Sequence, residues 1–255
     1  MNIKNVINRI YRDYFMLPKY KEYEGMLRML LDRGYKFVTM EDYIQNFPEG
    51  KIVLLRHDID TDIGVAKKFF EIEKKLNIKC TYYFRLGTFD KKLVSSITSY
   101  GSEASYHFEE ISDFAFANKI KTKEEVDKNI DIIRNNFIIN LEHIRREYGI
   151  NSVTIASHGD FVNRYLKIIN NYLLTDELRK QCNILVEAYD DILMSRFKYI
   201  SDAKYPDLYK YNFNEDIKKQ QMLYVLVHPR QWTSHFFERL GLDLKRFIDG
   251  RKYFS

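Results

Sequence analysis

Apolar positions recur at intervals of three and four over residues 20–33, where Tyr23, Met26, Leu27, Leu30 and Leu31 share a helical face and Gly34 follows as a helix-ending residue. The same spacing predicts helices over 62–77 (Ile63, Ala66, Phe69, Phe70, Ile72, Leu76), 91–100 and 123–148. The last is the longest. Thr122 and Glu125 open it at capping-box spacing, Val126, Ile130, Ile133, Phe137, Leu141 and Ile144 carry it, and Gly149 closes it. Between the helices lie short runs of strand character at 36–39, 51–56, 80–84, 103–106, 152–156, 183–188, 198–200 and 222–227. Strands that alternate with helices pair in parallel through right-handed crossovers. Seven or eight such strands, with no linker and no repeat, predict one barrel-like α/β domain over residues 1–255.

Several of these runs stop at ionisable residues, which is where reactive side chains gather in parallel α/β proteins. In Arg56-His57-Asp58-Ile59-Asp60, a side-chain period of two sets Arg56, Asp58 and Asp60 on one side and His57 and Ile59 on the other. Two carboxylates crowded at a strand end repel unless a cation or proton lies between them. A purely structural alternative has Asp60 capping the next helix and Arg56 pairing with Asp58. His107, followed by Glu109 and Glu110, completes a fair divalent-metal set with these acids; Zn²⁺ is the commonest choice for mixed nitrogen and oxygen donors, with Co²⁺ and Mn²⁺ as alternatives. Ser157-His158-Gly159-Asp160 ends another strand. His228 precedes Pro229, which forces a turn and leaves the imidazole placed for acid–base work. Trp232, the one tryptophan, either stacks on a sugar face or plugs the barrel end. His143 and His235 lie on helices, apart from this chemistry.

Composition narrows the field. A chain of 255 residues, 45% hydrophobic and 15% aromatic, can build a sizeable core, and four Pro and ten Gly argue against a linker-rich or disordered chain. The net charge of +5 is scattered, so no nucleic-acid surface is expected, only a slight preference for anionic substrates. Cys80 and Cys182 have no paired spacing and are expected to be buried free thiols. The amino terminus has no continuous apolar stretch and the chain has no candidate membrane span, so a soluble, cytoplasmic protein is expected. Its oligomeric state is not specified by the sequence.

The segments RHDID, EASYH, ASHG, YISDA and LVHPRQW, in this order, resemble the polysaccharide deacetylase (NodB-homology, carbohydrate esterase family 4-like) superfamily, in its divergent branch with an HDxD first motif. They span about residues 52–232, most of the chain. The resemblance implies a distorted (β/α)7 barrel and metal-dependent removal of an acyl group from an N-acylated sugar or glycan precursor. It implies Asp58 as base, Asp60 as metal ligand, His107 as the first histidine ligand and His228 as general acid. Three departures follow. Ile59 separates acids that are usually adjacent, so the roles of Asp58 and Asp60 can exchange. Ile111 stands where a second histidine is usual, so a third ligand must come from Glu109, Glu110 or His158, or be missing. SHGD replaces the usual Arg-Pro motif, leaving Arg56 or Arg85 to restrain the base. Arg56, Arg85, Tyr106, Arg230 and Trp232 are the expected substrate contacts. Two rival functions use the same barrel: a catalytically inactive carbohydrate-binding or assembly protein, and a hydrolase of another non-peptide C–N bond.

Overall fold

The computed structural model describes residues 10–219 and 221–255; most of the amino-terminal stretch read above as lacking a continuous apolar run lies outside them. Among the described residues, eight strands form one all-parallel sheet: β1 (Lys36–Val38), β2 (Ile52–Ile59), β3 (Thr81–Phe84), β4 (Glu103–Phe108), β5 (Thr154–Ser157), β6 (Val186–Glu187), β7 (Phe197–Ser201) and β8 (Met222–Val227). Seven run in the order β6-β5-β4-β3-β2-β8-β7, and β1 pairs with β2 beside them. Along β2, one edge carries β8 at residues 53–57. The other is shared by β1 at 52–54 and β3 at 56–59.

The sheet curls into a distorted barrel. Ile52 and Leu54 of β2, Tyr83 of β3, Ala156 of β5, Val186 of β6, Phe197 of β7 and Tyr224 of β8 all belong to one inner cluster, which a flat sheet of this strand order would keep apart. Tyr189, just beyond β6, approaches Tyr199 of β7 with ring centroids 6.2 Å apart, so the two sheet edges face each other across the interior. The described residues show no ladder between β6 and β7.

Around the sheet lies a second apolar layer. Val53, Leu55 and Ile59, which alternate with the inward residues of β2, pack outward beneath α1 (Tyr20–Asp32) and α2 (Ile63–Lys75). Each fully buried Phe or Leu in this layer contributes about 1.5–3 kcal/mol. The helix predicted over 123–148 is two helices, α3 (Lys123–Lys128) and α4 (Ile130–Tyr148). The Thr122–Glu125 capping box and the Gly149 cap form as predicted. The break comes at Asn129, whose side-chain amide donates to Glu125 O at 2.8 Å, the local bond with which Asn competes against helix continuation. Cys80 and Cys182 are both free and buried.

The floor of the barrel holds a carboxyl that no cation among the described residues pairs with. Glu103 accepts from Thr81 Oγ1 at 2.7 Å and the Glu41 backbone N–H at 3.0 Å, and contacts Thr154 Oγ1. Burial outweighs these bonds and pushes its pKa up to about 7. The folded protein therefore keeps a proton that the unfolded chain releases near 4.5. Stability from this group is full below 4.5, falls by on the order of 3 kcal/mol as the pH rises to about 7, and is flat above. We predict that Glu103→Gln matches wild type in urea unfolding near pH 5 and exceeds it by roughly 1–3 kcal/mol at pH 8–9. Parallel stability curves across that range would contradict the assignment.

Candidate active site

The carboxyl ends of β2, β4, β5 and β8 converge on one rim because their registers align them. His57 faces Val227, Phe84 faces Tyr106, and His107 faces Ala156 across successive ladders. The alternation of β2 then turns Arg56 and Asp58 into the barrel. Arg56 is fully buried and forks onto Asp58, with Nε to Oδ1 at 2.6 Å and a terminal nitrogen to Oδ2 at 2.8 Å. Its remaining amino group donates to Tyr224 Oη at 2.9 Å, and its carbon centre lies 5.3 Å and 4.7 Å from the rings of Tyr83 and Tyr189. Burial alone would raise the pKa of Asp58. Arg56, with His107 and His228, more than offsets that and holds the carboxyl ionised below its ordinary range.

Asp60, His107 and His158 bring three ligand atoms together. Asp60 Oδ1 lies 3.4 Å from His107 Nε2 and 3.1 Å from His158 Nδ1, and the two nitrogens are 3.2 Å apart. With metal–ligand bonds near 2.0–2.1 Å, the edge of a tetrahedral Zn²⁺ site is about 3.3 Å, so this triangle has the dimensions of one tetrahedral face. Two further observations fit a cation. Asp60 Oδ1 is buried with no hydrogen-bond partner. His107 Nδ1 is occupied by Ala156 O at 2.9 Å, where it donates, leaving the Nε2 lone pair directed at the cluster. His158 is held by its own N–H on Phe108 O (2.8 Å) and by Asn170, whose amide donates to His158 O at 2.6 Å while its oxygen accepts from Ile111 N. Burial, which opposes charge on His158, is outweighed by Asp60, and the imidazole pKa is raised. Asp60 is correspondingly driven well below the usual carboxylate range despite its burial.

His228 faces this cluster, with Nε2 3.9 Å from Asp58 Oδ2. Asp202, fully buried, accepts from His228 Nδ1 at 2.6 Å, from the His228 backbone N–H at 2.7 Å and from Trp232 Nε1 at 3.1 Å. Burial pulls the imidazole pKa down. Asp202, Asp60 and Asp58 overcome it and push His228 up to about 9.

Several sequence expectations are corrected. Glu109 is not in the triangle: it is ion-paired with Arg85, whose Nε donates to Oε1 at 2.9 Å and whose terminal nitrogen lies 2.6 Å from Oε2. Arg56 does not contact open space; buried behind Asp58, it is the residue that restrains that carboxylate. Tyr106 points out of the barrel, since it is one residue from His107, and donates to Glu110 at 2.5 Å. Trp232 is 2% exposed and packs edge-on against Tyr23 and Phe69, so of its two expected places it takes the plug, not a sugar platform. Arg230 stands half-buried on the turn after His228. Ile111 is buried in the outer apolar layer. Asp202 and Asn170 escaped notice as site residues. Asp202 lies within YISDA, and that segment was its only signal; nothing local marks Asn170.

A second group, His57, Glu73 and Cys80, also has ligand-like spacing. It lies on the outward side of β2, wholly buried. Glu73 there is already saturated by His57 at 2.7 Å, Cys80 at 3.0 Å and the hydroxyls of Tyr23 and Tyr82. The group is a buried polar network centred on Glu73, in which His57 Nδ1 is left without a hydrogen-bond partner.

No protein-family model and no curated protein matches the chain. Among solved structures, the chain is similar to BA3943, a CE4 family pseudoenzyme from Bacillus anthracis, with 15% identity over 78% of this chain and 62% of that one and a TM-score of 0.45. It is similar to the peptidoglycan deacetylase PdaC from Bacillus subtilis, with 11% identity, 80% and 97% coverage and a TM-score of 0.43. It is also similar to the polysaccharide deacetylase Bc1974 from Bacillus cereus, with 14% identity, 77% and 88% coverage and a TM-score of 0.40. The chain spans less than two thirds of the length of the pseudoenzyme. At these identities and TM-scores the likeness assigns no chemistry to this chain.

The Asp202–His228 pair yields a direct expectation. By NMR titration of the metal-free protein, His228 should lose its proton near pH 9, and Asp202→Asn should bring that midpoint down toward the ordinary 6.5. An unchanged midpoint in the variant would show that Asp202 is not the cause.

Proposed function

We propose that the protein is a metal-dependent hydrolase that removes an acyl group, acetyl foremost, from an N-acylated sugar or glycan precursor. The observation that carries this is the Asp60–His107–His158 triangle with Asp58 and His228 beside it, Asp58 Oδ2 lying 3.4 Å from His107 Nε2 and 3.9 Å from His228 Nε2. The five-segment resemblance supplies the substrate class. Two nitrogens and one carboxylate oxygen suit Zn²⁺, with Co²⁺ or Mn²⁺ as substitutes. When bound, such an ion supplies Lewis-acid polarisation of the acyl oxygen and lowers the pKa of water.

The chain's own groups perform the proton transfers. Asp58, kept ionised by the Arg56 fork, takes a proton from the attacking water as the new C–O bond forms. His228 enters protonated at neutral pH and gives its Nε2 proton to the departing nitrogen as the C–N bond breaks, releasing an acid and a free amine. Asp202 fixes which ring nitrogen faces the site by occupying Nδ1. Arg85 and Glu109, at the ends of β3 and β4, form a paired charge on the rim.

Elemental analysis after re-equilibration with Zn²⁺ should find near one ion per chain, lost in Asp60→Ala and His158→Ala. Acetate release from N-acetylhexosamine substrates should fall roughly 10²–10⁴-fold in Asp58→Asn and His228→Ala with the ion retained. Wild-type protein that binds no ion would favour the inactive carbohydrate-binding alternative. Undiminished turnover in the two variants would overturn the assigned roles.

A further inference from the structure

A groove of about 860 Å³ opens beside this rim, between the segment carrying Arg12 and Lys19 and the loop carrying Lys204 to Tyr211. It is separate from the metal triangle but built onto the same wall. The loop begins directly after Asp202. The amino-terminal segment is pinned to the turn following His228 by Lys19 N–H on Trp232 O at 2.8 Å and Ser234 N–H on Met16 O at 3.2 Å. Trp232 is the shared partition: its indole N–H holds Asp202, and its ring lies 5.8 Å from Tyr209 in the groove.

The charge of the groove is one-sided. Four cations line it, Arg12, Lys19, Lys204 and Lys210, against one lining acid among the described residues, Asp207. Two of the four are already engaged, Lys19 with Glu22 at 2.8 Å and Lys210 with Asp207 at 3.0 Å. Among the described residues Arg12 and Lys204 have no carboxylate partner, and Arg12 Nε is buried without a hydrogen-bond acceptor. Leaving a buried donor unmet is costly, and an anionic oxygen is the acceptor that suits a guanidinium best. The remaining walls are phenol rings: Tyr205 and Tyr211 stand 4.9 Å apart at 61°, with Tyr209 beside the partition. Cations with adjoining aromatic faces fit a phosphate attached to a flat or apolar group.

We propose that this groove binds the diphosphate end of an organic diphosphate to which the acylated sugar is attached, with Arg12 and Lys204 on the phosphates. The identity of that substrate rests on the deacylase reading; binding at the groove does not. Titration of the protein with UDP, geranyl diphosphate and uridine, followed by Trp232 fluorescence, tests it. Both diphosphates should bind and uridine should not; the tighter of the two identifies a nucleotide or a lipid as the carried group. Arg12→Gln and the exposed Lys204→Glu should each weaken binding roughly tenfold or more, and raised salt should weaken it further. Asp60→Ala should leave it intact, which separates groove binding from chelation at the metal site. Absence of binding at millimolar diphosphate, uridine binding as tightly as UDP, indifference to both charge changes, or loss in Asp60→Ala would each overturn the proposal.

Discussion

The Arg56–Asp58 ion pair is the contact on which the barrel and the site both depend. Burying two charges costs several kcal/mol per ion and is tolerated only when the geometry is close and the remaining donors are met. Here the guanidinium is matched by both carboxylate oxygens, by Tyr224 and by the faces of Tyr83 and Tyr189. Those partners come from β8, β3 and the segment after β6, so the pair also ties together strands that are distant in the sheet order. The same fork aims Asp58 at the rim and keeps it charged. Removing Arg56 would leave a buried, unpaired carboxylate, so its role in positioning cannot be separated from its role in folding.

β2 carries a second polar network on its opposite face, and the two do not mix. His57 points outward to Glu73, to which tyrosine hydroxyls and the Cys80 thiol also donate. Burial opposes the charge of Glu73, but His57 and the hydroxyls outweigh it and keep its pKa low. The strand that delivers Asp58 and Asp60 is thus braced from behind by groups that never reach the site. Across the mouth, negative oxygens crowd toward one point and His228 holds positive charge beside them. That division suits a cation and a proton donor acting on one bond.

What could be read from the sequence followed from local periodicity. A period of two put Arg56, Asp58 and Asp60 together, and the same rule, applied to β4, would have sent Tyr106 away from His107. Capping residues located the long helical stretch, though not its break at Asn129, since a single side-chain bond decides that. That His158 rather than Glu109 meets Asp60 and His107 lay outside local reach. It depends on the β4–β5 register, which places His158 just past Ala156, the partner of His107. It depends also on Arg85, which occupies Glu109 from a third strand.

Asp202 shows the same boundary. Its partner His228 is on another strand, and only the β7–β8 ladder, with Ser201 opposite Leu226, carries the two side chains into contact. The groove beyond Trp232 likewise joins segments nearly two hundred positions apart in sequence. The sequence by itself determined the alternation of strands and helices, the parity of each strand and the kinds of reactive group at the strand ends, because these depend on neighbours along the chain. Which of those groups meet, which are neutralised by a partner and what surface lies beside them was decided only by the tertiary structure, because distances between strand ends are set by register and curvature.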